Sequence, residues 1–529
     1  MPIMETAKHR VGRRLHPRAI LFLMLWLGLM VAGRSRMLQD PGTFWHPVVG
    51  QRMLDERAVI HTDPFSFTFG GRPWIAQQWL GECVMGWVER HLGLDGLLLA
   101  AVTLLAWVFS GLGWRALREG MSPPAAVVLV MLAIGASSYH FHPRPHLATI
   151  ALFAWMVGLL IDAEAGRVSG RRLIWLPIAF VLWTNVHGGV LGGIATVLFV
   201  LLGWSANRTL LPSSDKWRLP ALRSPWFVLL AVACVASVFV NPYGRMLPQV
   251  WLSLMDSRVL PGLIVEHAAL EWMSTEGAMI AALAVAYLVL LARCWKTQRR
   301  VTWLIPCLWL VMAHGRIRHG PLFAVAVAVV IADMRPFANW LSAPRGAVAD
   351  SSTRRWSRGR LIGIALPASL VLAAICIQWA GVRAPVVGRG WATCDPTIWP
   401  IDTSAMLKEA IEERPGASRV FNDMRYGGYL IAKVPESRVY VDDRCELYGD
   451  DFLSNYRRVM ASPDQFEREA RKGAFEFALV SRGTPICEHL SNSLQWRKLC
   501  EDAASTLFER SGAAGTAQVL GGGRLAPAP

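Results

Sequence analysis

Long apolar runs separated by short polar turns organise this chain. The runs cover residues 19–32, 94–112, 125–138, 147–161, 173–186, 190–204, 227–240, 278–292, 302–313, 322–332 and 361–377. Several are shorter than the roughly 20 residues an untilted helix needs to cross the hydrocarbon core. The pattern nevertheless predicts an α-helical polytopic membrane protein with about eleven transmembrane helices, counted by hydropathy. The segment Gln78 to Leu92 differs: it is apolar at Trp79, Val84, Trp87, Val88 and Leu92 and polar elsewhere, which predicts an amphipathic helix at the membrane interface.

The polar turns decide orientation. With the N-terminus inside, the cytoplasmic turns hold Lys8, Arg10, Arg13, Arg14 and Arg18, then Arg115 and Arg118, then Arg167, Arg171 and Arg172. The later ones hold Arg208, Lys216, Arg218 and Arg223, then Arg293, Lys296, Arg299 and Arg300, and finally Arg335, Arg345, Arg354, Arg355, Arg358 and Arg360. This obeys the positive-inside rule at every turn. The expected division is a cytoplasmic basic N-terminus (1–18), a helical membrane region (19–380) with a large first outer loop (34–92), an extracytoplasmic α/β domain (381–520) and a disordered tail (521–529). The expected location is the cell inner (plasma) membrane. Gly33-Arg34-Ser35-Arg36 offers no small-residue cleavage site, so the first run reads as an uncleaved signal anchor.

Within the α/β region, Asp402–Glu413, Tyr426–Lys433 and Asp450–Met460 read as helices, and Arg419–Asn422, Arg438–Val441, Phe475–Val480 and the stretches near Trp496 and Leu507 as strands.

Composition supports the membrane reading: 53% of residues are hydrophobic and the formal net charge is +16. The mean hydropathy is +0.34. Topological anchoring and contact with anionic lipid account for most of that charge. No basic patch interleaved with stacking aromatics suggests nucleic acid. Of the nine cysteines, Cys83, Cys234, Cys294, Cys307 and Cys376 lie in or beside apolar runs, and Cys394, Cys445, Cys487 and Cys500 follow them. In an oxidising compartment Cys487 and Cys500 are a candidate disulfide, although sequence alone does not determine pairing.

Candidate chemistry falls on one side of the membrane. The stretch from Asp40 to Glu82 mixes carboxylates with Trp45, Phe65, Phe67, Trp74 and Trp79, a composition suited to a folded interfacial loop. The other turns on that side carry His142, Arg144 and His146; Asn185 and His187; Asn241, Tyr243, Glu266 and Glu271; and His314, Arg316, Arg318 and His319. Ionisable residues cost about 2.5 to 3.5 kcal/mol each at mid-bilayer, so a set converging on one face implies a pathway or a site. One such residue alone is better explained by snorkelling. Guanidinium groups bind phosphate bidentately, and a lipid-borne phosphate keeps its tail in the bilayer. Transfer to a hydroxyl then needs a base, for which Asp40 and Asp63 are the candidates. Each also sits in a good turn sequence, Asp40-Pro41-Gly42 and Asp63-Pro64-Phe65-Ser66.

Several motifs resemble the glycosyltransferase C superfamily of polyprenyl-phosphate-sugar-dependent multi-pass enzymes, most closely its bacterial members. They are Asp40 with Trp45-His46, Thr62-Asp63-Pro64-Phe65-Ser66, Arg72-Pro73-Trp74, Gln78-Trp79-Leu80, Arg144-Pro145 and Trp183 with Asn185. Further on they are His187-Gly188-Gly189, Asn241-Pro242-Tyr243-Gly244, Glu271-Trp272, Arg316 with Arg318, Asn422-Asp423, Gly427-Gly428-Tyr429-Leu430 and Val441-Asp442. The resemblance implies a catalytic acid in the first outer loop, where Asp40 stands, and an active site at the outer membrane face. Pro41 and Gly42 follow Asp40 where the commonest pattern has a second carboxylate, which keeps Asp63 in contention.

The function so implied is an inverting glycosyltransferase that moves a hexosyl or pentosyl unit from a polyprenyl-phosphate donor to an extracytoplasmic lipid, glycan or protein. Asp40 or Asp63 is the base; Arg144, Arg316, Arg318 and His319 hold the donor phosphate; Trp45, His46, Trp79, Asn185, His187, Asn241, Tyr243 and Glu271 contact other parts of the substrates. No cofactor is required, and a divalent metal is an optional addition. The alternatives are a transporter or flippase of a lipid-linked substrate, expected to show an internal repeat, and a non-catalytic membrane assembly protein.

Overall fold

The computed structural model describes residues 15–210, 224–337, 360–414 and 416–511. Most of the basic N-terminal segment, the stretches 211–223 and 338–359 and the tail from Gly521 lie outside the described residues.

All eleven apolar runs fall on helices. In chain order the helices are α1 (Pro17–Arg36), α2 (Gly42–Glu56), α3 (Trp79–Arg118), α4 (Pro123–Gly135), α5 (His146–Glu164) and α6 (Trp175–Val186). They continue as α7 (Val190–Leu210), α8 (Ser224–Ala236), α9 (Met246–Asp256), α10 (Thr275–Cys294), α11 (Ile305–Gly315) and α12 (Gly320–Met334), followed by a helix over Arg360–Trp379. Six helical stretches among the described residues are long and apolar enough to cross a membrane: Pro17–Arg36, Trp79–Arg118, His146–Glu164, Val190–Arg208, Thr275–Cys294 and Ile317–Met334. Four more among the described residues are apolar but shorter: Pro123–Gly135, Pro225–Phe239, Val301–Gly315 and Ile364–Trp379.

Helix α12 forms the centre of the bundle. It is Ala- and Val-rich on every side and buried along its whole length against α3, α4, α5, α10 and α11, as expected of a helix that is apolar all round. At its end the buried Asp333 accepts from Arg167 Nη2 at 2.5 Å, Arg300 Nη1 at 2.6 Å and Trp303 Nε1 at 2.6 Å. These donors offset the cost of burying a carboxylate.

The amphipathic stretch Gln78–Leu92 is the first part of α3. Gly93 separates it from the apolar part with φ +66 and ψ −160, a conformation essentially restricted to glycine. The preceding polar segment is more regular than a loop. Residues Gly42–Glu56 form α2, which packs on the first part of α3, and residues 57–78 run irregularly across the C-terminal domain.

That domain holds a five-stranded sheet in the order β2-β1-β3-β5-β4, built from β1 (Arg419–Asn422), β2 (Arg438–Val439), β3 (Phe477–Ser481), β4 (Trp496–Glu501) and β5 (Ser505–Arg510). Strand β1 is parallel to β2 and β3, and β5 is antiparallel to β3 and β4. The expected strand over Arg438–Val441 is shorter, because the chain turns at Asp442–Arg444 into the helix Cys445–Ala461. Helices Pro463–Gly473 and Pro485–Ser491 were not expected from the sequence. Cys487 and Cys500 are both free: Cys487 Sγ lies 3.5 Å from Thr506 Oγ1, and Cys500 Sγ lies 3.9 Å from the Glu501 carbonyl.

The two halves are joined through backbone and charge. Phe67 N–H donates to the Val439 carbonyl at 3.1 Å and Val439 N–H donates to the Phe65 carbonyl at 3.2 Å, so residues 65–67 cover the β2 edge. The fully buried Arg444 reaches Asp63 Oδ1 at 2.7 Å and grips Asp442 through Nε at 2.8 Å and Nη2 at 2.6 Å. Its guanidinium also lies over Trp74, 4.6 Å from the ring centroid, a favourable cation–π arrangement.

Candidate active site

A cavity of about 1210 Å³ opens where the helix ends meet the C-terminal domain. One wall is Asp40, Pro41 and Trp45 at the start of α2. A second comes from the turns before α5 and α7, with His140, Arg144, His146 and His187. A third is the stretch from Trp251 to His267 together with Arg316, Arg318 and His319. The C-terminal domain closes the cavity with Arg425, Asp443, Glu446 and Tyr456.

Asp40 is held in one orientation. Its Oδ1 accepts from Gly42 N–H at 2.8 Å and its Oδ2 accepts from Arg144 Nη1 at 2.8 Å. Arg144 also lies 3.7 Å from Glu266 Oε1, and the same oxygen is 3.3 Å from His140 Nδ1. Arg144 is therefore occupied by two carboxylates.

Arg316 and Arg318 differ in this respect. Arg316 Nη2 donates to the Met255 carbonyl at 2.6 Å, and Arg318 Nη1 lies 2.7 Å from His267 Nε2. Among the described residues no carboxylate forms an ion pair with either. His319 lines the same wall, edge-on to Trp309.

His187 is fixed by its neighbours. Its Nδ1 accepts from Gly189 N–H at 3.0 Å and from the Thr149 hydroxyl at 2.9 Å, while Thr149 accepts from Trp183 Nε1 at 2.7 Å. With Nδ1 an acceptor, the neutral ring carries its proton on Nε2.

Seven of the sequence-derived candidates do not line the cavity. Asp63 is 2% exposed and is satisfied by Phe65 N–H at 3.0 Å, Ser66 N–H at 3.1 Å, the Ser66 hydroxyl at 2.5 Å and Arg444. Burial works to raise its pKa, but the Arg444 charge and these donors outweigh it and hold the carboxyl below its ordinary value. His46 pairs with Glu82 at 2.9 Å, both buried. Trp79 Nε1 donates to Asn185 Oδ1 at 2.8 Å, and Asn185 Nδ2 donates to the carbonyls of Val181 and Val240, each at 2.8 Å. Asn241 closes its own turn by accepting from Tyr243 N–H at 2.8 Å, the Tyr243 hydroxyl donates to the Ile60 carbonyl at 2.8 Å, and Glu271 is exposed away from the cavity. Asp40, Trp45, Arg144, His187, Arg316, Arg318 and His319 do share the cavity.

His140, Glu266, Asp443 and Glu446 also line the cavity, and no sequence motif gives them a role. One local signal was available for the last two: Asp442-Asp443-Arg444-Cys445-Glu446 packs three acids and an arginine between a strand and a helix. Burial, with the nearby Asp40 charge, pushes the Asp443 carboxyl up to about 8. Burial also raises Glu446, which accepts from Trp74 Nε1 at 3.1 Å. A carboxyl that feels the Asp40 charge in the same cavity thus comes from the far end of the chain. Among the described residues no group of three or more His, Cys, Asp or Glu side chains is arranged to hold a metal ion.

No protein-family model matches the sequence, and no curated protein matches it. Solved structures do. The Archaeoglobus fulgidus oligosaccharyltransferase, tethered to an acceptor peptide containing the NVT sequon, aligns with TM-score 0.50 at 14% identity over 88% of this chain and 69% of its own. The mycobacterial arabinofuranosyltransferase AftD aligns with TM-score 0.50 at 13% identity over 94% of this chain and 40% of its own. ArnT from Cupriavidus metallidurans, bound to undecaprenyl phosphate, aligns with TM-score 0.48 at 13% identity over 93% of this chain and 98% of its own. The chain shares the fold of the first two of these structures; its own described residues form a body of apolar helices followed by a small sheet domain.

Proposed function

We propose that this protein is an inverting glycosyltransferase that moves a sugar from a polyprenyl-phosphate donor to an extracytoplasmic acceptor hydroxyl. It would lie in the inner membrane with about eleven spans, its N-terminus cytoplasmic and the cavity at the outer face. One observation carries the reading: a single cavity holds a carboxylate fixed by Gly42 and Arg144, Asp40, and two arginines, Arg316 and Arg318, that among the described residues form no ion pair with a carboxylate.

In the proposed step Asp40 accepts the proton of the acceptor hydroxyl, and the hydroxyl oxygen attacks the anomeric carbon. The bond from that carbon to the phosphate oxygen breaks, and the electron pair leaves on the lipid phosphate. Arg316 and Arg318 take up the phosphate charge, and His319 and the His187 Nε2–H supply further donors. Arg144 braces Asp40 and does not bind phosphate.

The test is transfer from a radiolabelled polyprenyl-phosphate sugar in membranes containing the wild type, Asp40→Asn or Arg316→Ala. Asp40→Asn is expected to abolish transfer at unchanged abundance. Arg316→Ala is expected to slow it about 10²- to 10³-fold, the scale for losing one donor to a developing anion. Full activity of Asp40→Asn would overturn the assignment; binding of the donor without turnover by the wild type would favour a non-catalytic role.

A further inference from the structure

Asp443 has no use in the step just described, yet it lines the same cavity as Asp40. Its Oδ1 is buried with no hydrogen-bond partner. The surrounding charges are committed elsewhere. Arg144 is bound to Asp40 at 2.8 Å, and Arg444 is bound to Asp442 and Asp63. The groups facing Asp443 are Asp40 from the segment before α2, Arg144 from the turn before α5, and Asp442, Cys445 and Glu446 from its own connection. Arg144 already serves Asp40 and Glu266, and a further carboxyl near that set with no cation bonded to it is favoured in its neutral form. Asp40, not Asp443, has the short contact to Arg144.

We propose that Asp443 acts with Asp40 as a carboxyl pair that holds the acceptor hydroxyl, Asp443 in its neutral acid form donating to the hydroxyl oxygen while Asp40 accepts the hydroxyl proton. The role of the pair in transfer rests on the transferase reading above; its protonation state does not. The backbone makes the placement firm. Asp442 and Arg444 on either side are both fully buried and paired with each other, and Arg444 is paired with Asp63 as well, which fixes the backbone of Asp443 at the cavity. The C-terminal domain then supplies a reacting-site residue as well as a wall.

Two measurements test this. The first reads the carboxylic-acid carbonyl stretch by infrared difference spectroscopy of the purified full-length protein against Asp443→Asn across pH. A protonated-acid band is expected that is lost in Asp443→Asn and fades around pH 8. In Asp40→Asn, which removes the neighbouring negative charge, the same band should fade at lower pH. Absence of the band at neutral pH overturns the proposal, as does a midpoint indifferent to Asp40→Asn.

The second is the pH profile of transfer. In the wild type the rate should fall as Asp443 ionises above about pH 8. Asp443→Asn keeps a donor, so it should retain transfer and lose this alkaline limb, while Asp443→Ala should be slower by about 10²-fold. An unchanged alkaline limb in Asp443→Asn overturns the role in transfer. If Asp443→Asn does not accumulate, Asp443→Ser carries the same comparison. A titrating band in a wild type that never transfers sugar supports the carboxyl pair and overturns the transferase reading, so the two failures are distinct.

Discussion

Asp40 and Asp63 are 23 positions apart, both in turn sequences beside large aromatic rings, and the structure gives them different surroundings. Asp40 keeps access to a cavity; Asp63 spends its oxygens on Ser66, Phe65 and Arg444. Asp63→Asn is therefore expected to weaken the fold, by about 3–5 kcal/mol if Arg444 is left short of its partner, and to spare the chemistry in whatever fraction folds. Because the folded-state pKa of Asp63 lies below its unfolded value, its stabilisation is complete above the unfolded pKa, about 3.9, and is lost as pH falls through the lower folded value. Thermal unfolding in detergent at neutral and acid pH checks this: the gap between wild type and Asp63→Asn should narrow in acid. A gap that widens in acid would contradict the assignment. The sequence could not separate the two aspartates, because the partner that distinguishes them, Arg444, lies 381 residues from Asp63.

At the scale of elements, periodicity was a good guide wherever one face of a segment decides its fate. The apolar runs, the amphipathic start of α3 and the strand Arg419–Asn422 all lie where pattern puts them. Pattern was a poor guide to α2, whose Pro47 and aromatic cluster look like loop, and to Pro463–Gly473, whose charges hide the anchors Phe466 and Ala470. Gly93 is the junction that separates the amphipathic first part of α3 from its apolar part. Gly93→Ala must hold a Cβ at φ +66 and ψ −160, and should cost about 1–3 kcal/mol. A matched Gly→Ala change in a regular helix, such as Gly28→Ala in α1, should be neutral or stabilising by comparison. Melting temperatures of the two variants in one detergent check the difference.

For the molecule as a whole, the important feature is that the C-terminal domain completes the cavity. Helix Met424–Lys433 lies directly on the start of α2, and a Cβ at Gly428 would stand 2.6 Å from the Pro41 carbonyl oxygen and 2.7 Å from Trp45. Gly428→Val should force this wall off Asp40, the residue next to Pro41. Transfer should be lost, and protease sensitivity within 381–511 should rise, while the helical membrane body stays resistant. A fully active Gly428→Val would mean that the domain is not needed to close the site.

The sequence by itself determined the helical membrane character, the sheet-containing C-terminal region and the gathering of His and Arg motifs at one set of helix ends. These follow from hydropathy, period and local charge, which need no knowledge of distant residues. Only the tertiary structure decided which groups share the cavity. Arg144 turned out to be bound to Asp40, Arg316 and Arg318 to form no ion pair with a carboxylate among the described residues, Asp63 to belong to a buried ion pair, and Asp443 to share the cavity of Asp40. The reason is range. An ion pair or a buried carboxyl is set by atoms a few ångströms away in space, and here those atoms come from positions up to four hundred residues apart in the chain.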